Sequence, residues 1–581
     1  NTIVVYNHNA NKPTEIYGGD VTIKSAETDS AITLRTDSVG IEFVNTESVE
    51  NVLDALANKL YYTGYVTGER NLDGYVEIAE GITSSSVRKA YGHIGYNEKD
   101  GQGSFAGNVE NLEPDSQTKD SFTAPIFGVE AKDTAYVEDK VLKDGVYEFT
   151  KEKTTITVNN NLIAGGLWLP NIGAVVSASG SGNKTEIDLN GNELVVNATA
   201  NTHSTGIAAI DKGVVEINNP GDITATANGS GQTAAIFANS GGEVHIHNGD
   251  GGTVIARASA SYADNGAVIK TMNGASGIES KIIIDGMVDV VADKNEGANE
   301  AISAVASRIE IGGGNIEAKN GAWAAIRAYG EFRSDNSGIV NVNVTKDEDG
   351  NITGAGNRKT TITGDFVTNG GMGTKGQISV GLRGEDSYWH GKYTDNDGYG
   401  VTPGQLGSVN LWIEDGAHWT GYSSGSVNVN INGEGSYWDG YSTNSKMLLS
   451  LTDGAIWKNS NASKTSLIGN FVGDGGYIEN AGGVTIDNYS GNTTVIYKHD
   501  AEVPTNIIGG DVTIKSAAED SEITLRTDNA GIDTSDKAKV NNVLDGLAKK
   551  LYYTAYINNA QDNLKGYVQI AEGLTSSSAT K

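Results

Sequence analysis

The amino-acid sequence predicts an all-β fold, a parallel β-helix in which each coil contributes three short strands. One observation behind this prediction is that three strand patterns recur in the same order from about residue 206 to residue 342, once every 24 to 38 residues or so. A second is that 76 Gly but only 7 Pro punctuate the chain, so the turns are built from Gly, Asn and Asp. One such unit cannot bury its own apolar face, whereas a stack of units can.

The three strand patterns differ in how their apolar residues are spaced. The first is a small-residue run that ends in a branched residue, and the second and third mostly alternate apolar and polar residues. Alternation places apolar groups on one face of a strand and polar groups on the other. A helical solenoid is disfavoured, because the repeats lack the i, i+3, i+4, i+7 spacing of an amphipathic helix. The first pattern falls at 208–210, 234–236, 267–269, 301–302 and 324–326, the second at 215–217, 244–246, 282–284, 309–311 and 340–342, and the third at 223–225, 254–256, 288–290 and 316–318.

Two blocks at the ends of the sequence are copies of each other. Residues 18–25 are identical to 509–516, and residues 32–37 are identical to 523–528, at an offset of 491. Residue 1 thus corresponds to residue 492, so the sequence reads as one full period and the start of the next. We expect the parent protein to repeat this unit of about 490 residues.

Each terminal block holds a helical pattern, the strongest in the chain. Branched and leucine side chains fall on one helical face in each copy, which predicts a short helical excursion from the β-helix. These residues are Val49, Val52, Leu53, Leu56 and Leu60 in the first block, and Val540, Val543, Leu544, Leu547 and Leu551 in the second.

These patterns divide the chain into five predicted segments. Between the terminal blocks lie an irregular stretch rich in Gly, Asp, Glu, Ser and Asn, a run of long coils, and a run of short coils that contain Trp. The segments are 1–90 (terminal block), 91–150 (irregular excursion), 151–370 (long coils), 371–491 (short Trp-containing coils) and 492–581 (second terminal block).

The short coils share an alternating strand that leads, after a Gly turn, to Trp389, Trp419, Trp438 or Trp457. Trp419 to Trp438 and Trp438 to Trp457 are each 19 residues apart. Because neighbouring strands lie about 4.8 Å apart, we expect these Trp rings to stack coil upon coil, either inside as core packing or outside as an exposed platform. The Tyr residues beside them should point to the opposite face, since neighbours in a strand point to opposite faces.

Charge and composition exclude some classes of function. The formal charge is 42 − 73 = −31, and no basic cluster is present to neutralise phosphates, so we expect no nucleic-acid partner. The chain has no Cys, which suits a long exported chain because no disulfide can trap it during secretion. No run of 18 apolar residues occurs, and we expect no signal peptide within this stretch. If the protein is exported, we expect this sequence to be an interior part of a longer precursor.

Several stretches resemble one family. Residues 411–421 read Leu-Trp-Ile-Glu-Asp-Gly-Ala-His-Trp-Thr-Gly and are similar to the strand–Gly-Ala-x-Trp coil of passenger domains of monomeric (type V) autotransporters. Residues 487–491, Asp-Asn-Tyr-Ser-Gly, are similar to the coil that often follows it, and the terminal block resembles one found in large autotransporter adhesins. The resemblance implies a right-handed, pertactin-like β-helix of the pectin-lyase-like kind. It also implies that the Trp residues of the short coils pack in the interior, which leaves the adjacent Tyr residues outside. It also implies display on the surface of a Gram-negative bacterium, with membrane attachment only through a C-terminal outer-membrane barrel that is absent from this stretch.

Candidate site residues are few. Stacked and exposed aromatic rings would make a platform for sugar rings or a protein partner, which singles out Tyr388, Tyr422, Tyr437 and Tyr441 as ligand-binding candidates. Asp395 and Asp397, before a Gly, could supply oxygen ligands to a weakly bound Ca²⁺, although no downstream acidic residue completes an EF-hand loop. No other cofactor and no catalytic residue is predicted. His245 and His247 should share one strand face, but no third metal ligand is evident.

The leading functional prediction is a non-enzymatic segment of a surface adhesin. It would mediate attachment or aggregation, as in a biofilm, by reach and by distributed binding to a surface glycan or protein, or to a second copy of itself. One alternative is a polysaccharide lyase or hydrolase on the same scaffold, which would need a concave groove with two or more carboxylates and a basic residue on successive coils. The other alternative is a passive stalk whose binding domain lies elsewhere in the parent protein.

Overall fold

The prediction of an all-β fold is confirmed. Strands make up 61% of the computed structural model and helices 5%, and most strands pair in parallel within stacked sheets. The structure describes residues 2–23, 25–28, 30–41, 46–57, 59–62, 72–78, 88–90, 120–122, 129–131, 134–138, 142–143, 145–149, 153–159, 174–200, 203–231, 233–260, 266–273, 277–330, 336–369, 374–395, 407–557, 563–571 and 574–576.

The chain forms two compact units. The first comprises Asn1–Phe237 with Val244–Ile255, and the second comprises Ala238–Glu243 with Ala256–Lys581. In each unit many of the described strands form three ladders, which we number after the three sequence patterns that predicted them. The strands Thr233–Asn239, Glu243–His247 and Thr253–Ala260 contain the residues at which the chain passes between the units.

The first unit contains parallel pairings in all three ladders. Each strand pairs with the strand that occupies the same place in the next repeat, so that Thr154, for example, lies opposite Leu194 and then Ile223. Its first ladder holds Leu142–Lys143, Val176–Ser179 and Ser204–Ile210, its second Val146–Phe149, Lys184–Asp188 and Val214–Asn218, and its third Thr134–Glu138, Lys153–Asn159, Glu193–Thr199 and Ile223–Gly229.

The second unit continues the same scheme over more repeats. Its first ladder holds Gly266–Met272, Ala298–Val305, Ala324–Tyr329, Phe366–Asn369 and Tyr393–Asp395. Its second ladder uses the early parts of four long strands, Lys281–Asp293, Arg308–Lys319, Ser466–Asn480 and Val484–Ile496. Between the two pairs of long strands lie Ile339–Val342, Gln377–Arg383, Ser408–Glu414, Val427–Asn432 and Leu448–Thr452, and after them come Val512–Ala517 and Leu551–Tyr553. Its third ladder uses the later parts of the four long strands together with Thr360–Thr363, Tyr388–His390, His418–Thr420, Tyr437–Asp439, Ile456–Asn459, Ser521–Thr527 and Leu564–Ile570.

Strand alternation places the core between the ladders. In Val427–Asn432, for instance, Val427, Val429 and Ile431 are buried while the residues between them are half-buried or exposed. Burial of each such side chain contributes about 1.5–3 kcal/mol. The alternating apolar residues that defined the sequence patterns therefore form the core.

The second and third patterns fuse in two repeats, which the sequence patterns did not anticipate. Lys281–Asp293 and Arg308–Lys319 are continuous strands, with a register shift at which Asp285 and Gly286 lie opposite Gly312 alone. This two-against-one pairing is a β-bulge, which bends a strand without ending it. A Cβ on Gly312 would lie 2.1 Å from the Asp285 carbonyl oxygen, so this position requires Gly.

The predicted helical excursions are confirmed. They are the helices Thr46–Ala57 and Lys537–Ala548, each of which buries Val and Leu side chains, among them Leu56 and Leu547. The second helix begins at the N-cap residue Asp536, whose carboxylate accepts hydrogen bonds from the amides of Ala538 and Lys539.

Leu60 and Leu551, which we predicted on the helical face, instead begin the strands Leu60–Tyr62 and Leu551–Tyr553. Parallel pairing with Val21–Ile23 and Val512–Ala517 satisfies their backbone groups, and the Tyr-Tyr pair favours a strand. The remaining described elements of the terminal blocks are strands Thr2–Val5, Asn7–Asn9, Lys12–Tyr17, Ser30–Thr36, Leu72–Ile78 and Arg88–Ala90, strands Lys498–His499, Ile507–Ile508 and Leu574–Ser576, and the short helix Thr554–Ile557.

Most of residues 91–133, the larger part of the predicted irregular excursion at 91–150, lie outside the described residues. The described residues in this part form the short strands Asp120–Phe122 and Val129–Ala131. Elsewhere a hairpin of Val344–Lys346 and Ile352–Ala355 and the 3-10 turn Lys294–Glu296 complete the fold. None of the helices in the described part of the chain is long and apolar enough to cross a membrane.

Candidate functional site

The prediction that four Trp rings stack in the interior is confirmed. Trp389, Trp419, Trp438 and Trp457 are fully buried in the third ladder, and their centroids are 4.7, 4.8 and 5.1 Å apart with interplanar angles of 5–6°. Parallel register places each ring directly opposite the next one. Offset stacking of aromatic pairs adds about 0.5–1.5 kcal/mol to the burial of their area.

Each Trp ring is also held by a hydrogen bond to the repeat before it. Trp419 Nε1 donates to the Gly391 carbonyl at 3.0 Å, and Trp438 Nε1 donates to the Gly421 carbonyl at 3.0 Å. For Trp419, Trp438 and Trp457 the accepting Gly lies two residues after the preceding Trp, where a Cβ would lie only 1.7–2.0 Å from a backbone carbonyl oxygen. The Trp-x-Gly spacing is thus a sequence signal for this contact that the strand patterns alone did not reveal.

The outer face of these strands carries a row of rings. Tyr388, His418 and Tyr437 lie opposite one another in register, with centroid distances of 5.7 Å and 4.8 Å along the row. They are half-buried, in contrast to the buried Trp beside each of them. The prediction that Tyr388 and Tyr437 point away from the Trp column is confirmed.

The faces of the rings in this row are mostly covered by neighbours. His418 stacks on one face of Tyr437, and the Lys458 ammonium lies 3.6 Å from the Tyr437 ring centroid. Tyr388 also stacks on His390 at 4.4 Å. A sugar that stacks face to face would have to displace these partners, so the row offers ring edges, hydroxyl groups and imidazole nitrogens instead.

Burial affects the titration of His418 in this row. Burial lowers the pKa of His418, and the nearby His390 and Lys458 lower it further. The imidazole is therefore neutral at neutral pH and can stack without carrying a charge beside Lys458.

Tyr422 and Tyr441, the other two predicted ligand-binding residues, stack on each other at 5.1 Å. They are half-buried and follow the Trp strands at the next turn. The structure therefore places the four predicted Tyr residues in two separate outward groups. Whether they bind a ligand stays a prediction.

The structure describes only one of the two predicted calcium ligands. Asp395 ends the strand Tyr393–Asp395 and accepts a hydrogen bond from the Thr368 hydroxyl at 3.4 Å, whereas Asp397 lies outside the described residues. Asp347, a turn carboxylate, accepts from the amides of Asp349 and Asn351, which lowers its pKa.

His245 and His247 share one face of the strand Glu243–His247, as predicted, with ring centroids 6.1 Å apart. His247 Nε2 lies 3.8 Å from the carboxylate of Glu216, which is itself paired with Lys184 at 2.7 Å. Within the described ranges no group of three or more His, Cys, Asp or Glu is placed to hold a metal.

A polar cleft that sequence reasoning missed lies beside the β-bulge. Its volume is about 310 Å³, and its lining includes Asp285, Glu310, Lys346 and Arg358. The bulge brings Asp285 to the cleft, and the hairpin Val344–Ala355 returns Lys346 to within 2.7 Å of Glu310. This contact joins residues 36 positions apart through a turn, so no local spacing could have indicated it.

Glu310 is held as a carboxylate. Desolvation raises its pKa, but hydrogen bonding and charge from Lys346, together with Arg308, outweigh burial and lower the pKa overall. Arg308 lies 3.4 Å away and Asn341 Nδ2 donates to the same carboxylate at 3.4 Å. An anionic Glu310 can accept protons or hydrogen bonds but is poorly suited to act as a general acid.

Comparison with known proteins found no match to this chain among family models, curated proteins or solved structures. The class of protein is therefore defined by its geometry alone. It is an all-β protein of parallel strands stacked in ladders, with a buried Trp column, an outward ring row and a polar cleft.

Proposed function

We propose that this chain is a surface-displayed segment of an autotransporter adhesin, built as a right-handed parallel β-helix. The observation that carries the proposal is the in-register stacking of the strands Ser408–Glu414, Val427–Asn432 and Leu448–Thr452. Alternate residues of these strands form the core, and the others form continuous outward rows. Such a scaffold presents many weak contacts along one face, as distributed adhesion requires.

The acidic surface and the outward rings indicate the partners. With a net charge of −31 the segment would repel anionic lipid surfaces and nucleic acids, and it would bind a surface glycan or protein through ring edges and hydroxyls. The place of action would be the bacterial cell surface, with attachment through the parent protein. A weakly bound Ca²⁺ at Asp395 and Asp397 is part of this proposal.

Adhesion can be tested on beads that carry the purified chain. We expect the beads to bind bacterial or host cells, and the double variant Tyr437→Ala/Tyr441→Ala to bind at least tenfold fewer cells. Tyr552→Ala is the matched control, because Tyr552 is 49% exposed but lies in a terminal block away from the ring row. Equal loss in both variants, or no binding by the wild-type chain, would contradict the proposal.

A passive stalk is a second candidate, and the covered ring faces favour it. Because His418 stacks on the Tyr437 ring and the Lys458 ammonium lies 3.6 Å from its centroid, the row is well packed as it stands. If the chain is a passive stalk, the Tyr437→Ala/Tyr441→Ala variant should keep its fold, and beads that carry it should bind as many cells as beads that carry the wild-type chain. Adhesion would then be found only in other parts of the parent protein.

A polysaccharide-cleaving enzyme is a third candidate, and the polar cleft favours it. Two carboxylates and basic side chains line a concave site on successive repeats, as such an enzyme would need. Incubation with acidic and neutral polysaccharides should then release new reducing ends, and Glu310→Gln should abolish that release. Glu216→Gln, which alters another ion-paired Glu outside the cleft, should not.

A further inference from the structure

A group of charged and aromatic side chains lies on the outer face of the first ladder in the second unit. Lys270, Ser303 and Arg327 lie opposite one another on three neighbouring strands. Each stands between two fully buried residues, so strand alternation points all three away from the core. Their backbones span two strand spacings, about 9.6 Å, so two long cationic side chains flank the small, buried Ser303.

Neither cation is fully satisfied by the protein. Arg327 Nη1 donates to the Glu300 carboxylate at 2.7 Å, while its buried Nε has no hydrogen-bond partner among the described residues. Lys270 is half-buried, and its ammonium has no hydrogen bond or ion pair with any residue in the described ranges. Burial lowers the pKa of Lys270 more than the nearby Glu300 raises it, and Arg327 lowers it further. Two cations thus share a single carboxylate.

An exposed aromatic ring adjoins these charges. The Arg327 guanidinium lies 4.5 Å from the ring centroid of Trp323 and 5.3 Å from that of Tyr329. Trp323 nevertheless remains 41% exposed, in contrast to the four Trp residues of the buried column. The indole therefore offers open ring surface beside a cation, which the outward ring row, with its mostly covered faces, does not.

These groups are complementary to a sugar that carries a carboxylate. Lysine and arginine N–H groups form short, charge-assisted hydrogen bonds with carboxylates, and such a ligand would compensate the charge that Glu300 leaves unpaired. The apolar face of a sugar ring can pack on exposed indole surface. A neutral sugar would leave the cations unsatisfied, and a small anion such as acetate would leave the indole uncovered.

We propose that Lys270, Arg327 and Trp323 form a binding site for an acidic sugar, a hexuronic acid or a sialic acid. The carboxylate would lie between the two cations, above Ser303, and the sugar ring would pack on Trp323. Because the chain carries a net charge of −31, it would repel a densely charged polyanion, which favours a glycan with isolated acidic residues. The site is separate from the outward ring row, and the proposal does not depend on adhesive function.

The test is titration of the full chain with glucuronic acid and with N-acetylneuraminic acid at neutral pH, followed by saturation-transfer difference NMR. We expect saturable binding of at least one acid, and the acid that binds more tightly identifies the source of the carboxylate. Glucose lacks the carboxylate and acetate lacks the ring, so both should bind at least tenfold more weakly. Absence of saturable binding by both acids, or equal affinity for glucose or acetate, would overturn the proposal.

Three substitutions locate the site. Lys270→Met and Arg327→Gln should each weaken binding of the acid at least tenfold, and Trp323→Ala should weaken it severalfold. Arg257→Gln is the matched control, because Arg257 is another half-buried Arg paired with a carboxylate, that of Asp289, on a strand outside this group. The control should bind the acid as the wild-type chain does.

Lys270→Met also separates ligand binding from a structural role. It replaces a half-buried charge by an apolar side chain of similar length, so the thermal unfolding midpoint should stay the same or rise while affinity falls. A lysine that served only the fold would give a lower midpoint. A lower midpoint in Lys270→Met, unchanged affinity in Lys270→Met or Arg327→Gln, or equal loss of affinity in Arg257→Gln would each contradict the proposal.

Discussion

Replacement of Trp419 by Ala should open the short repeats locally. The indole is fully buried, and Trp→Ala substitutions in cores destabilise by about 3–5 kcal/mol. Trp419 also stacks on a ring on each side, and its loss leaves the Gly391 carbonyl without its indole donor, which costs about 1 kcal/mol or more. These contributions overlap in part, so we expect a loss of about 5 kcal/mol.

The assay is hydrogen exchange measured by mass spectrometry on the strands Tyr388–His390 and Tyr437–Asp439, which flank the altered ring. A local measurement is preferred, because long arrays of repeats do not unfold in one step. A loss of 5 kcal/mol corresponds to between three and four powers of ten in the opening equilibrium, which should appear as a matching loss of protection.

Trp323→Ala is the matched control for this prediction. Trp323 is 41% exposed, and the Arg327 guanidinium lies 4.5 Å from its ring centroid. Such an exposed cation–π contact contributes about 0.5–1 kcal/mol, so protection near it should fall by less than tenfold. If Trp419→Ala reduces protection no more than Trp323→Ala does, the Trp column does not stabilise these repeats as we argue.

Three further predictions concern other positions. Gly440→Ala should destabilise its repeat by more than 3 kcal/mol or prevent folding, because the new Cβ would lie 1.7 Å from the Gly421 carbonyl oxygen; thermal unfolding of the purified variant measures this. Asn459→Ala should cost about 3 kcal/mol in chemical denaturation, since the buried amide donates to the carbonyls of 482 and 483 and accepts from the Ser466 hydroxyl. Burial lowers the pKa of His418 in the folded protein, so the contribution of the neutral imidazole to stability is fully present above the unfolded pKa of about 6.5 and is lost as the pH falls below that value. Because His418→Tyr removes this imidazole, the substitution should weaken the pH dependence of stability. The difference in unfolding midpoint between wild type and variant should therefore change between pH 8 and pH 5.

The Gly440 and Asn459 predictions each have a counterpart that should behave differently. Gly384→Ala should cost about 1–2 kcal/mol, because its φ of 85° is left-handed but a Cβ there meets nothing within 4 Å. Asn428→Ala should cost at most about 1 kcal/mol, since Asn428 is half-buried and bonds Asn410 in an outward side-chain ladder. Equal costs at Gly440 and Gly384, at Asn459 and Asn428, or an unchanged pH response in His418→Tyr would contradict the respective argument.

The sequence predicted the ladders and the stacking of the Trp rings, because both depend on local alternation and on a constant strand spacing. The 19-residue spacing, for example, predicted that Trp438 stacks on Trp419, whereas the interior position of both rings was expected from the family resemblance. Sequence reasoning failed where tertiary pairing overrides a local pattern, as at Leu60 and Leu551, whose helical spacing gives way to parallel strand pairing. The polar cleft was not predictable, because it depends on a bulge at Asp285 and on a hairpin that brings Lys346 back to Glu310.

The Trp column has a consequence for how such a protein can change in length. Identical rings stacked at strand spacing between separate chains are the arrangement that lets fibrils grow without limit. Here Phe366 stacks on Trp389 at 3.8 Å at one end, and Ile478 lies opposite Trp457 at the other, so both ends are closed by different side chains. Because Trp419, Trp438 and Trp457 recur every 19 residues with the same contacts, a whole repeat could be gained or lost between the two ends without disturbing either. The column is in this sense a modular spacer of defined, adjustable length.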